Sequence, residues 1–574
     1  MHETTVIENC GTKKPDTGKI LSNETFHRKS FRYILATLPL ALILLISTSY
    51  QRNTGEIILP EAVSKAVYFS PEIRNALRMH ISGAALEKTD TNVLIRSLVS
   101  DLYTRNGFKP VWMDNGINAN GKALAKLIQN AREMGLEPDN YYYKEISSEI
   151  EELIKRPGSR ENEEVDVELE ALMTDAAFRL MINLHNGYTC LDSTLASQPW
   201  VSELPEILFK SVYTSDVQNG ILSVEPKFIE YTQLRKANAL YVRSHELNDE
   251  FTEIKYPQKD TIELMEEIRD ALVSLGYIQH RSDNITTTEA LKKFQELHGL
   301  TADGRAGLNT IEALGKTTLY RYKVLALNLD RLRKNQYPDS GMLYVNIPAY
   351  RLKIYDGRKM TGTFRVIVGN PSTPTPLISG NLQKIIANPV WFVPRKIAVN
   401  EILPKLKKDS AYLSRNGFKI LDRNNKLVDA NSVDLSNISE ADFDYTFRQN
   451  KGSDNSLGQV KFLFDNPYSV YLHDTPSKSL FQKDLRAFSH GCIRIEHPEK
   501  LATLILNRIS CDTTGFSQAM KTGQQHEYPV NVSLPVRITY ITCEADQSGR
   551  VYFYKDIYGI DSKELAALDQ FSGI

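Results

Sequence analysis

The sequence predicts an α+β multidomain chain, a long helical region followed by a β-rich one. Two observations predict this. Apolar residues recur at helical spacing up to about residue 336, and from residue 342 the period changes to two. A chain of 574 residues with 41% hydrophobic content suits two to four domains, each with its own core.

Residues 1–32 are polar and end in His27-Arg28-Lys29 and Arg32. The uncharged run Tyr33–Thr48 follows. At about 1.5 Å per residue it spans roughly 24 Å, a little short of a hydrocarbon core. Tyr50 and Arg52 suit the far interface. The expected arrangement is a cytoplasmic tail over 1–32 and a single transmembrane anchor over 33–49, with the rest of the chain in the periplasm or outside. The alternative is a cleaved signal peptide, with Ser47 and Ser49 as small residues near a cut site, which would release the chain.

Residues 60–250 read as a helical domain. Ala76-Leu77, Leu94-Ile95, Leu98-Val99 and Leu124, Leu127, Ile128 mark its helices, Asn106-Gly107 and Asn115-Gly116 its turns, and the charge run Glu161–Glu170 reads as a solvated face. Residues 258–316 form a smaller unit. Ile262, Leu264, Ile268, Leu272 and Leu275 make a stripe ended by Gly276. Thr287 or Thr288 is placed to cap a second helix carrying Leu291, Phe294 and Leu297, and Thr310 and Leu314 lie in a short third. Residues 317–340 read as an amphipathic linker helix closed by Tyr337-Pro338-Asp339-Ser340-Gly341. Strands follow at Leu343–Ile347, Leu352–Tyr355 and Phe364–Val368. Between about 400 and 457 the alternation breaks, with Leu403–Ser414 helical in pattern and the rest polar. Val536–Tyr540 and Val551–Tyr554 are expected to finish the sheet and its edge.

The chemistry concentrates in residues 461–497. Cys492 sits in Ser489-His490-Gly491-Cys492-Ile493-Arg494, and His473 ends the run Val470-Tyr471-Leu472. A free thiol, with a pKa of about 8.5, is only a few per cent ionised at neutral pH, so a neighbouring imidazole is the minimum needed for thiol acyl transfer. In a strand, Tyr471 and His473 share one face and Val470 and Leu472 the other. Gly491 allows a sharp turn before the thiol, and that turn is expected to aim the amides of His490, Gly491 and Cys492 at one point, as an oxyanion hole requires.

The stretch Val470-Tyr471-Leu472-His473-Asp474-Thr475-Pro476, with Phe481 and Arg486–Arg494, resembles the signature of L,D-transpeptidases, and matches the large, multidomain, membrane-anchored subgroup best. Asn106–Trp112 and Gly135-Leu136-Glu137-Pro138 resemble that subgroup's helical scaffold domain. Phe294-Gln295, His298-Gly299-Leu300, Asp303-Gly304, Gly307 and Thr310 are similar to the three-helix peptidoglycan-binding module. The resemblance implies a scaffold over 60–250, a binding module over 258–316 and a β-rich L,D-transpeptidase catalytic domain over 341–560. A capping insertion at about 400–457 would act in it as a mobile lid against water.

It also implies roles. Cys492 is the nucleophile and His473 the general base, its ring oriented by the Asp474 backbone carbonyl. His490 and Gly491 shape the oxyanion loop. Arg494, Tyr471, Ser489 and Trp391 are candidates for positioning substrate, Arg494 through its planar fork. The implied reaction is attack on a peptidoglycan stem tetrapeptide, loss of its terminal D-amino acid, and transfer of the acyl group to a stem side-chain amine. Such enzymes are generally carbapenem targets and act in cell-wall organisation and cell shape. Water as acceptor would make a carboxypeptidase or endopeptidase, and another protein's amine an anchoring enzyme. A wall-binding scaffold with a dead catalytic domain is the rival of a different class.

No cofactor is expected, and the histidines lack metal-ligand spacing. A net charge of −1 provides no basic field for nucleic acid. The expected partners are stem peptides and, through the anchor, a membrane; a monomer is expected. Five cysteines (Cys10, Cys190, Cys492, Cys511 and Cys543) are too few and scattered for a disulfide scaffold, with Cys511 and Cys543 the candidate pair.

Overall fold

The computed structural model describes residues 71–572, apart from 84–89, 115, 156–162, 189–194, 336–339, 410, 430–431, 434–437 and 439–441. The expected tail and anchor lie outside the described residues. Among those described, no helix is long and apolar enough to cross a membrane.

In the first region, the helices Pro71–Gly83, Asp90–Arg105, Ala119–Gln129, Tyr143–Lys155 and Val217–Leu222 pack against Glu163–Asn186. Phe178, Leu180, Met181 and Leu184 of that helix have no exposed surface. Its N-terminal part corrects the charge-run reading, because Glu170 is buried. Its carboxylate accepts from the Val111 and Trp112 amides and the Tyr103 hydroxyl. Burial raises its pKa to about 7 against those donors. A buried carboxylate therefore pins the Phe108–Trp112 turn, which periodicity could not show.

The smaller unit contains Thr261–Ser274, Thr287–Leu297 and Leu308–Leu314. Thr286, not Thr287 or Thr288, caps the second helix, and its hydroxyl and Glu289 form a reciprocal capping box. Gln295 is buried and clamps the following loop, donating to the Arg305 carbonyl at 2.9 Å and accepting from the Gly304 amide at 2.8 Å. His298 is also buried. It is bonded to the Phe294 carbonyl and takes a hydrogen bond of 2.7 Å from Arg321. The motif residues of this unit thus hold its loop and seat it.

Arg321 belongs to Thr318–Lys334, where the structure departs most from the linker reading. Residues 327–333 of this helix are all buried, on every face. It is a shared spine. Arg331 pairs with Asp561 at 2.6 Å, and Tyr322 donates to Glu137 at 3.0 Å. Asn328 bonds Thr542 in both directions. Charged residues on an apparently polar face are therefore interior ion pairs; breaking one would leave its partner buried and uncompensated.

The β-rich region begins with β1 (Leu343–Asn346), β2 (Arg351–Asp356), β3 (Lys359–Gly369) and β4 (Ile378–Ala387). Next come β5 (Trp391–Phe392), β6 (Phe418–Leu421), β7 (Leu427–Val428) and β8 (Thr446–Gln449). Then follow β9 (Val460–Phe464), β10 (Leu472–His473), β11 (Ala487–Ser489), β12 (Ile493–Ile495), β13 (His526–Pro529) and β14 (Pro535–Thr539). The order β3-β12-β10-β9-β4-β14-β1-β2 closes through a β2–β3 pairing, with β11 and β13 outside the ring. Closure leaves these eight strands no free edge. Val345, Leu352, Val366, Phe462, Leu472, Ile493 and Val536 fill the interior.

The insertion is a small domain with its own core, and it starts earlier than expected. β5 pairs with β8 in the sheet β5-β8-β6-β7, so the insertion begins at Trp391 and not near 400. Val399, Ile402, Leu413, Phe443 and Phe447 form its core. The chain ends differ from expectation too. β14 lies inside the ring, between β4 and β1. Val551–Phe553 pairs with Cys543–Ala545 in a separate hairpin packed on the spine.

Candidate active site

The cleft between the ring and the insertion has a volume of about 780 Å³. Its ring wall follows from one register. β10 runs parallel to β12 with Leu472 opposite Ile493 and His473 opposite Arg494, and the Ile493 amide bonds the Tyr471 carbonyl at 3.1 Å. Leu472 and Ile493 fill the interior. Alternation then sends Tyr471, His473, Cys492 and Arg494 to the other face, and all four line the cleft. The Tyr471 and His473 rings meet edge-on at 5.5 Å.

Burial sets the electrostatics. It is the largest effect lowering the His473 pKa to about 3; the Arg494 and Lys461 cations lower it further, and the Asp474 and Leu457 carbonyls oppose them. Burial also pushes the Cys492 thiol up, partly offset by the Tyr471 amide, Lys461, the Tyr471 hydroxyl and Arg494. At neutral pH the site therefore holds a neutral imidazole and a protonated thiol, not an ion pair. No fully formed hydrogen bond reaches His473 Nδ1 among the described residues, so the Asp474 carbonyl lies nearby without holding the ring. The Asp474 carboxylate does the holding locally. It accepts from the amides of Gln459 at 2.9 Å and Thr475 at 2.7 Å, and pairs with Lys478.

The Ser489–Cys492 loop differs from expectation at two residues. The Gly491 amide donates to Ser489 Oγ at 3.2 Å, so it is not free for an oxyanion. Ser489 Oγ in turn donates to the Cys492 carbonyl, which makes Ser489 the clasp of the loop. The amides of His490 and Cys492 carry no hydrogen bond among the described residues. Gly491 has φ +109°, a conformation that favours glycine. Thr375 fixes the loop from outside by donating to the Gly491 carbonyl at 2.8 Å.

The opposite wall comes from the insertion. Trp391 lines the cleft while its ring packs 6.2 Å from Phe418. The exposed His490 Nε2 lies 2.5 Å from Glu401 of the insertion. Arg494 lines the cleft with its Nε unbonded among the described residues.

Sequence reasoning missed Glu401 and Lys461. Lys461 Nζ lies 3.9 Å from the Tyr471 ring centroid, and its strand neighbour is His473. A lone cation in the apolar run Val460–Phe464 was a usable signal. Nothing in the sequence marks Glu401. The candidate Cys511–Cys543 pair does not form, because Cys543 is a free, buried thiol. Among the described residues no group of acidic, histidine or cysteine side chains is arranged to hold a metal ion.

A thiol, an imidazole and a guanidinium thus line one cleft face, on and beside two adjacent parallel strands of a closed sheet. Residues 340–532 match the family model described as the L,D-transpeptidase catalytic domain, residues 97–237 the scaffold domain, and residues 262–314 the "Putative peptidoglycan binding domain". The chain is thus a multidomain protein whose catalytic region belongs to the L,D-transpeptidase family. It is 34% identical over 237 residues to a protein of Haemophilus influenzae named "Putative L,D-transpeptidase". That alignment covers 41% of this chain and 48% of the relative, so the chain spans about half the length of the curated relative it matches.

Proposed function

We propose that the protein is an L,D-transpeptidase that cross-links peptidoglycan through a Cys492 thioester. The observation carrying this reading is the β10–β12 register, which sets Cys492, His473 and Arg494 on one cleft face. His473, neutral above about pH 3, is the base. The resting thiol binds its proton far more tightly than this imidazole, so proton transfer accompanies attack instead of preceding it. Cys492 Sγ attacks the stem carbonyl, and the amides of His490 and Cys492 receive the oxyanion; one such donor is worth about 3 kcal/mol. The terminal D-amino acid leaves with the proton from His473. A stem side-chain amine then resolves the thioester. Arg494 offers its guanidinium to a substrate carboxylate, and Tyr471 and Trp391 bound the acyl chain.

The matched binding-module model supports the cell wall as partner, and we read residues 33–49, behind a cytoplasmic tail over 1–32, as the anchor that keeps the catalytic domain in the periplasm. A carbapenem should acylate the same sulfur. Product analysis with a stem tetrapeptide tests the reading. Dimer with released D-amino acid is expected, and neither thioester nor dimer would refute it.

A further inference from the structure

The cleft takes three cationic side chains from its walls, Lys396, Lys405 and Arg494. These suit the carboxylates of a stem peptide. Among the described residues, one acidic side chain lines it, Glu401. Its carboxylate is partly exposed, lies 2.5 Å from His490 Nε2, and so stands against the residue two before Cys492. A single carboxylate in a cationic cleft, beside the nucleophile loop, is unsuited to a second anion and suited to an ammonium. It also reaches the loop from the insertion, on the wall opposite His473.

We infer that Glu401 is the acceptor subsite, binding the primary ammonium that resolves the thioester, with His490 taking its first proton. This rests on the transpeptidase reading above. The ammonium displaces His490 from Glu401, and the imidazole removes one proton to give the amine. The amine nitrogen attacks the thioester carbonyl, the C–N bond forms and the C–S bond breaks. The second nitrogen proton passes to the leaving sulfur, which regenerates the Cys492 thiol, and His490 returns its proton to solvent. Glu401 thereby sets the partition between amine and water, the choice the sequence left open.

The test uses the full chain, a stem tetrapeptide donor, and a stem tripeptide acceptor with its side-chain amine free or acetylated. Glu401→Gln retains a hydrogen bond to His490 and loses only the charge. The expected result is a tenfold or greater rise in acceptor KM and a shift of product from dimer to hydrolysed tripeptide. The donor thioester should form within twofold of the wild-type rate. Glu401→Asp should recover part of the dimer. A wild-type dimer fraction in Glu401→Gln at subsaturating acceptor overturns the inference. So does a fall in thioester formation that matches the fall in dimer, which would make Glu401 a loop support. If the wild type forms no thioester, the transpeptidase reading fails instead, and the two failures are distinct.

Discussion

The two walls of the cleft are built by different means. The ring wall is a parallel strand pair whose backbone ladder and alternation fix Tyr471, His473, Cys492 and Arg494 together. The insertion wall is a separate small core that meets the nucleophile loop through a side-chain pair, Glu401 with His490. Backbone ladders set positions to fractions of an ångström, whereas a half-exposed side-chain contact is worth little in stability and is easily exchanged. The difference puts the proposed chemistry on the stiff wall and the proposed choice of acceptor on the soft one.

Five substitutions break or sharpen that contrast. Cys492→Ala removes the reacting atom from the stiff wall. It should fold, since alanine suits a small half-buried site, and form no covalent adduct with a carbapenem by mass spectrometry; any adduct at the wild-type rate would move the chemistry elsewhere. His473→Ala should slow acylation by about 10²–10⁴-fold at neutral pH. The deficit should narrow above the usual thiol range, because burial holds the Cys492 pKa up and only then does the sulfur ionise unaided.

The same imidazole gives a stability test with a definite sign. Folded His473 binds its proton only near pH 3, whereas the unfolded ring binds it near 6.5. The unfolded state therefore holds more protons between those values, and stability falls as pH drops from about 6.5 toward 3. Denaturant titrations of His473→Gln should show a shallower acid slope.

Gly458→Ala attacks the support of the stiff wall. Gly458 has φ +59°, and an added Cβ would lie 2.3 Å from the Asp474 carboxylate. A cost of about 1–3 kcal/mol is expected, with slower acylation as His473 shifts; an unchanged melting temperature would remove Asp474 from the support. The smallest effect belongs to the soft wall. Phe447→Ala hollows the insertion core and should raise hydrolysis over transfer by a few-fold, leaving thioester formation intact. An unchanged product ratio would end the view of the insertion as a barrier to water.

Legibility followed the range of the interaction. Tyr471, His473 and Cys492 were legible because strand alternation is local, and the motif around Cys492 is long. Thr286 was missed by one residue because cap geometry, not residue type, picks among adjacent threonines. Ser489 looked like a substrate contact until its hydroxyl proved to close the loop. The helix Thr318–Lys334 was misjudged more seriously. Its pattern reads as an amphipathic linker, yet Arg321, Asp330, Arg331 and Arg333 are each buried, and Arg331 meets Asp561 from 230 residues away.

The sequence by itself determined the domain order, the change from helical to strand periodicity, and the motif that brings Cys492 and His473 to one cleft, because each is written within a few dozen neighbouring residues. Only the tertiary structure decided that the strands close into a ring, that the presumed linker is a buried spine, and that Glu401 faces His490. Those outcomes depend on partners far apart in the chain, and a periodic pattern carries no information about which distant surface will cover it.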